Sequence, residues 1–312
     1  MKNEITVYPP ATVANVVCGF DVLGFALESP CDKMLVRLVP RRGVTIINKD
    51  DFDLPPEPEK NVAGAALLAM LKELPDDIGF EVESTKSIKP GSGIGSSAAS
   101  ASGAVVGANH LLGNRFSNTD LVRFAMSGEE VASGVKHADN LAPCIYGGVT
   151  LIRSMDPLDI IKLDAPPLYV TITHPQIEVK TSDARQILKK QILLTDAIKQ
   201  WGNIAGLVAG LMKGDYALIS RSLVDVLIEP VRSILIPGFD EIKRRSKEAG
   251  ALGGGISGSG PAMFMLCKEE GTARQVAEVG KEVYAKIGLP CLTYQSRINP
   301  EGVRVSREPV LS

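Results

Sequence analysis

The chain has 312 residues, 45% hydrophobic and 22% charged, with 34 Lys and Arg against 36 Asp and Glu for a formal net charge of −2. That size and balance predict a globular protein of one large domain or two modest ones. No basic block or aromatic-interleaved patch argues for nucleic acid, so any polyanion site is expected to be local, and no apolar run reaches the about eighteen residues of a membrane span.

Five cysteines (Cys18, Cys31, Cys144, Cys267 and Cys291) are scattered without CxxC spacing, so they read as small buried hydrophobes in a reducing compartment. The opening Met1-Lys-Asn-Glu-Ile-Thr6 lacks the apolar run of a secretory signal, and the expected location is cytoplasmic.

In chain order, residues 5–8 and 33–38 read as strands around a polar, glycine-bearing stretch, 9–24, expected to be a loop outside the core. Residues 44–47 form another short strand, and the acidic, Pro-rich run 50–60 a surface loop. Helical spacing of Val62, Ala65, Ala66, Ala69 and Met70 predicts a helix over 61–74, followed by a strand at 80–83. An alanine-rich helix at 97–112 and a second at 120–133 follow, with Gly134 as its stop. Residues 149–152 read as a strand and 155–167 as a turn-rich link, which predicts a division into 1–155 and 156–312. The second half opens with a strand at 169–173. It continues with helical segments across 183–212, where Gly202, Gly206 and Gly210 recur on one face as a seat for another helix. Helices at 215–228 and 239–249, a glycine loop at 253–260, a strand at 262–267, a helix at 272–287 and a strand at 292–298 complete an α+β chain in two lobes.

The most informative stretch is Pro90-Gly-Ser-Gly-Ile-Gly-Ser-Ser-Ala-Ala99. Gly91, Gly93 and Gly95 let the backbone turn tightly with its N–H groups inward, and Ser96 and Ser97 open a helix whose first N–H groups have no internal partner. Ahead of a helix, that is a cradle for an anion, above all a phosphate. A carboxylate on the following helix could reach the phosphate through Mg²⁺, with Ser97 as a second oxygen ligand. Glu129 and Glu130 point about 100° apart on a helix, so at most one faces a pocket. Asn15 and Asp21 sit among apolar neighbours, where they fit either a turn or the recognition of a small zwitterion. His137-Ala-Asp139-Asn140 clusters polar groups after a helix, and Arg185 and Arg232 are candidate carboxylate clamps or ordinary surface arginines. The second glycine run, Gly253-Gly-Gly-Ile-Ser-Gly-Ser-Gly-Pro261, lacks a P-loop lysine and suits either close backbone packing or further anion contacts.

Three segments together resemble the GHMP kinase superfamily. They are Pro10-Ala-Thr with Asn15 and Gly19-Phe-Asp21-Val-Leu-Gly, Lys89-Pro-Gly-Ser-Gly-Ile-Gly-Ser-Ser-Ala-Ala99, and Gly254-Gly-Ile-Ser-Gly-Ser-Gly-Pro261. His137-Ala-Asp-Asn-Leu-Ala-Pro-Cys144 and Glu229-Pro-Val-Arg-Ser-Ile-Leu-Ile-Pro-Gly-Phe239 are most similar to the homoserine branch. Ile94 in place of the usual leucine and the placement of Lys89-Pro90 are the visible departures, and neither removes a chemical group.

The resemblance implies an N-terminal lobe like ribosomal protein S5 domain 2, with a left-handed βαβ connection, and a ferredoxin-like C-terminal lobe. It implies ATP-dependent phosphorylation of the side-chain hydroxyl of L-homoserine, a step towards threonine. Pro90, Gly91, Ser92, Gly93, Ile94, Gly95, Ser96 and Ser97 would wrap the triphosphate, with Asn61, Val62 and Lys86 near the adenine. Ser97 and Glu129 would hold Mg²⁺, which selects Glu129 over Glu130. Asp21 would take the substrate ammonium and Arg185 with Arg232 its carboxylate, while Asn15, His137 and Asn140 line the reacting end. Asn140 stands where relatives such as mevalonate kinase carry an aspartate base, so it would orient the hydroxyl without ionising it; Asp139 is the rival base. Many members are dimers, although no exposed stripe in the sequence forces one. A GHMP kinase for another alcohol, of mevalonate or shikimate type, and a non-catalytic metabolite sensor are the alternatives.

Overall fold

The computed structural model describes residues 3–179 and 181–306. Its strands form three sheets. The first runs in the order Arg304–Val305, Glu4–Tyr8, Lys33–Val39, Gly79–Thr85, Gly43–Asn48. Only its last pair is parallel, because the helix Val62–Leu71 lies in the connection between those two strands. Val7, Met34, Val36, Phe80 and Val82 pack from this sheet against the helices Val62–Leu71, Ser96–Leu111 and Asn118–Ser133. The alanine-rich helix lies close on the strands. A Cβ added at Gly107 would come within 2.7 Å of Val36 Cγ2, and one at Gly103 within 2.8 Å of Pro9 Cγ.

The second sheet is antiparallel, in the order Pro10–Ala14, Leu23–Cys31, Val149–Met155, Leu158–Leu163. The third is also antiparallel, in the order Gly253–Ile256, Met263–Cys267, Tyr169–Pro175, Cys291–Arg297. Its strands alternate with period two. Met263, Met265 and Cys267 face a core shared with Ile242, Val276, Val283 and Tyr284 of the helices Phe239–Glu248 and Glu270–Lys286. Phe264 and Leu266 face the opposite way, into a core that also holds Leu23, Phe25 and Leu27. Phe25 and Phe264 meet edge to face with ring centroids 5.6 Å apart, so one core ties the two halves of the chain together.

Two expectations are corrected. Residues 9–24 do not lie outside the core: Pro10–Ala14 is a strand buried along its whole length, and Val16, Val17 and Cys18 are 2–4% exposed. The polar groups that suggested solvent are used internally. Asn15 Oδ1 accepts the Asp21 N–H at 2.9 Å and its Nδ2 donates to the Gly258 carbonyl at 2.6 Å, while Asn15 and Asp21 reverse the chain at φ +73° and +61°. The stretch 155–167 is not a turn-rich link throughout: it contains the strand Leu158–Leu163, whose hairpin partner is Val149–Met155. The glycine seat exists at two of its three positions. Cβ atoms at Gly206 and Gly210 would come within 2.5 Å of Ser222 Oγ and 2.9 Å of Ile219 N, where the short helix Tyr216–Ser222 packs, whereas Gly202 faces open space. Along the same helix, Leu194–Lys213, the side chains of Leu194, Ile198, Trp201 and Met212 form an exposed stripe.

Candidate active site

The loop after the strand Pro10–Ala14, the glycine loop with the start of the helix Ser96–Leu111, the end of the helix Asn118–Ser133 and the turn after the strand Gly253–Ile256 line a cavity of about 410 Å³. One wall is the glycine loop. Gly91, Gly93 and Gly95 take φ values of +74°, +84° and +72°, left-handed conformations that cost a side chain about 1–2 kcal/mol each. Gly95 caps the helix Ser96–Leu111 with no side-chain cap hydrogen bond among the described residues, which leaves that end open to an anion. Ser92 and Ile94, both 1% exposed, turn away from the cavity; their carbonyls accept from Ala262 N–H at 3.2 Å and Thr12 N–H at 3.1 Å. The second glycine loop braces the first. Ser257 Oγ donates to the Gly93 carbonyl at 2.8 Å, and a Cβ on Gly93 would lie 2.6 Å from the Gly260 carbonyl oxygen.

Beneath the helix start lies a buried ion pair, Lys86 Nζ to Asp32 Oδ2 at 2.6 Å. Lys86 also donates to the Ser96 carbonyl at 3.1 Å and Ser100 Oγ at 2.8 Å, and Asp32 Oδ1 accepts the N–H groups of Ser87 and Ile88. Asn61 caps the helix Val62–Leu71, accepting from Ala63 and Gly64, and donates to the Pro55 carbonyl. With Val62, Leu54 and Pro55 it lines the cavity's apolar flank.

Ser97 Oγ donates to Glu129 Oε2 at 2.9 Å, and burial pushes the Glu129 carboxyl above its usual range. Glu130 faces out, 3.5 Å from Lys136 with over half its side chain exposed. The helix Asn118–Ser133 can place Glu129 here because it touches its neighbour through Gly128, where a Cβ would lie 2.3 Å from the Val62 carbonyl oxygen. Among the described residues no cluster of three His, Cys, Asp or Glu forms a protein-only metal cage. A serine hydroxyl beside a carboxylate with no counter-charge among the described residues is nonetheless a donor set for a hard cation whose remaining ligands are phosphate oxygens and water.

Asp21, Arg185 and Arg232 form a charged group in the same cavity, with His137 beside them. Arg185 Nη2 donates to Asp21 Oδ1 at 2.9 Å and lies 3.4 Å from His137 Nδ1. Burial and the neighbouring Arg185 hold His137 below its ordinary value, hence neutral at pH 7, with Nε2 buried and without a partner among the described residues. Arg232 is 3% exposed, donates to the Ala184 carbonyl at 2.8 Å, and stacks over Phe20 with 4.9 Å from Cζ to the ring centroid. Burial, then Arg185, lower its pKa to about 10, which still leaves it charged at neutral pH. Asp139 is pushed up to about 7 by burial, with Asp21 and Glu129 adding to the shift. Asn140 accepts from Thr12 Oγ1 at 2.8 Å through Oδ1.

The structure thus brings Asn15, Asp21, Asn61, Val62, Lys86, Pro90, Gly91, Gly93, Gly95, Ser96, Ser97, Glu129, His137, Asn140, Arg185 and Arg232 to one cavity. Sequence reasoning passed over Phe20, Thr12 and Asp32. Phe20 carried the one legible signal, an aromatic ring next to a glycine in a polar loop.

The GHMP kinases N terminal domain matches residues 61–148 and the GHMP kinases C terminal domain residues 207–286. The chain is 46% identical to a homoserine kinase of Chloroherpeton thalassium, across 97% of this chain and 99% of that protein. It is 42% identical to a homoserine kinase of Chlorobaculum tepidum, across 97% and 98%. The crystal structure of homoserine kinase from Cytophaga hutchinsonii superposes with a TM-score of 0.93 at 50% identity, covering 98% of each chain.

Proposed function

From the premise that this chain belongs to the homoserine kinases of the GHMP kinase family, we infer that it transfers the γ-phosphoryl group of ATP to the side-chain hydroxyl of L-homoserine, yielding O-phospho-L-homoserine and ADP. The observation that carries the substrate is the charged group at Asp21, Arg185 and Arg232. Two guanidinium groups face one carboxylate there, a balance that an α-carboxylate completes, while Asp21 accepts from the ammonium. Mevalonate and shikimate carry no ammonium to meet Asp21.

The glycine loop and the open start of the helix Ser96–Leu111 cradle the phosphates through backbone N–H groups. Asn61, Val62, Leu54 and Pro55 form the flank for the base. Ser97 and Glu129 would hold Mg²⁺, which neutralises charge on the transferring phosphoryl group. Asn140 orients the hydroxyl but cannot remove its proton, so the proton passes to a phosphate oxygen. Such a route suits a loose transition state, in which positioning and charge neutralisation lower most of the barrier. Asp139 is 5% exposed, and no ion pair joins it to a described residue; we assign it a supporting role, not that of the base. Five free cysteines support a reducing, cytoplasmic setting, and no described helix is long and apolar enough to cross a membrane. The Leu194, Ile198, Trp201 and Met212 stripe supports a homodimer, which sedimentation would test.

The deciding experiment is ADP release with ATP and Mg²⁺ on L-homoserine, beside L-threonine, mevalonate and shikimate, with product masses. A phosphate-sized mass gain on homoserine alone is expected. Transfer to another alcohol would move the protein to a sister activity, and nucleotide binding without any turnover would favour a sensor.

A further inference from the structure

We propose that Thr12 is the positioning residue of the phosphoryl-transfer site, turning the Asn140 carboxamide so that its NH₂ group, not its oxygen, meets the reacting oxygens. The inference rests on the kinase reading above and deepens it. Thr12 is 0% exposed, and among the described residues Asn140 Oδ1, at 2.8 Å, is the acceptor recorded for its hydroxyl proton. Reversing the amide would set Asn140 Nδ2 against Thr12 Oγ1 and leave a buried hydroxyl proton unsatisfied, which disfavours that orientation. With Oδ1 committed to Thr12, Asn140 presents two N–H donors to the cavity.

The hydroxyl is itself held in place. The Thr12 N–H donates to the Ile94 carbonyl at 3.1 Å, tying its strand to the phosphate loop. A Cβ on Gly95 would lie 2.0 Å from Thr12 Oγ1 and 3.1 Å from Asn140 Oδ1, so the strand, the helix cap and the amide interlock. Thr12 therefore sets both the rotation of the amide and its register against the bound phosphates. A donor at this point stabilises negative charge on the attacking or transferring oxygen, and its effect belongs to the transition state more than to substrate binding.

The test is a double-mutant cycle of Thr12→Val and Asn140→Ala, with Thr12→Ser as the conservative variant, read as kcat and both KM values. Thr12→Val is expected to lower kcat about fivefold to tenfold with both KM values within about twofold, the size of one lost hydrogen bond. Thr12→Ser recovers most of that loss, and Thr12→Val in the Asn140→Ala background costs less than about twofold more. The proposal is overturned if Thr12→Val costs as much without Asn140 as with it, if Thr12→Ser behaves like Thr12→Val, or if the loss falls on the ATP KM alone. Should Thr12→Val fail to fold, Thr12→Ala carries the same cycle without the added methyl. Wild-type turnover on homoserine tests the kinase reading separately, because the ratios between variants can be read on whichever alcohol the protein phosphorylates.

Discussion

Replacing Lys86 with methionine removes the cation from a pair in which the two side chains are 2% and 1% exposed. Asp32 keeps its two backbone donors, at 2.7 and 2.8 Å, but its charge is left without a counter-charge in a site water does not reach. Breaking a buried pair from one side costs about 3–5 kcal/mol, and the lost bonds to Ser96 and Ser100 lie within that range. We therefore expect Lys86→Met to lose about 4 kcal/mol in urea unfolding. Asp32→Asn with Lys86→Met leaves no orphaned charge and should recover about half of it. Arg244→Ala, which breaks the exposed pair with Glu248, serves as the comparison and should cost under about 1 kcal/mol. A Lys86→Met loss as small as that of Arg244→Ala, or a double variant as unstable as the single one, would refute the reasoning.

Glu129→Gln should cut Mg²⁺-dependent turnover about a hundredfold, and Glu130→Gln less than about twofold, since only Glu129 meets Ser97; equal losses in steady-state assays would reject the ligand choice. Arg232→Ala should raise the homoserine KM by about tenfold to a hundredfold with the ATP KM nearly unchanged, and the reverse pattern would remove Arg232 from the carboxylate site. Asp139, raised to about 7 from 3.8, keeps a proton in the folded protein between those pH values that the unfolded chain has released. Its contribution to stability is therefore present below the unfolded value and declines as pH rises to about 7. Asp139→Asn should gain stability over the wild type more at pH 8 than at pH 4.5 in urea titrations, and a difference that does not vary with pH would count against a raised folded value.

Most of the charged chemistry was legible because it sits in motifs whose spacing has a mechanical reason. Three glycines ahead of a small-residue helix specify a left-handed loop and an open helix end, and both are present. Asn61 reads from the sequence as the start of a helix, and it is that helix's cap. What could not be read were partnerships across long separations. Thr12 and Asn140 are 128 positions apart, and Asp32 and Lys86 are 54 apart; nothing local to either member announces the other. Residues 9–24 misled for a related reason. Short polar side chains signal solvent or a turn unless the distant groups they bond are known, and Asn15 finds its partner at Gly258. Leu158–Leu163 was passed over because Asp156-Pro157 ahead of it and Pro166-Pro167 after it marked the whole stretch as a link.

The contact of the two glycine loops bears on how this molecule could ever be taken apart. The cradle proposed for the nucleotide is encoded near residue 93, but its shape is maintained by a turn near residue 258, through Ser257 on Gly93 and Ala262 on Ser92. A gene severed midway would encode two fragments, the first with the cradle's residues but not its rigidity, the second with the brace and nothing to hold. Recombination between distant relatives would preserve a working cradle only when both loops travelled together.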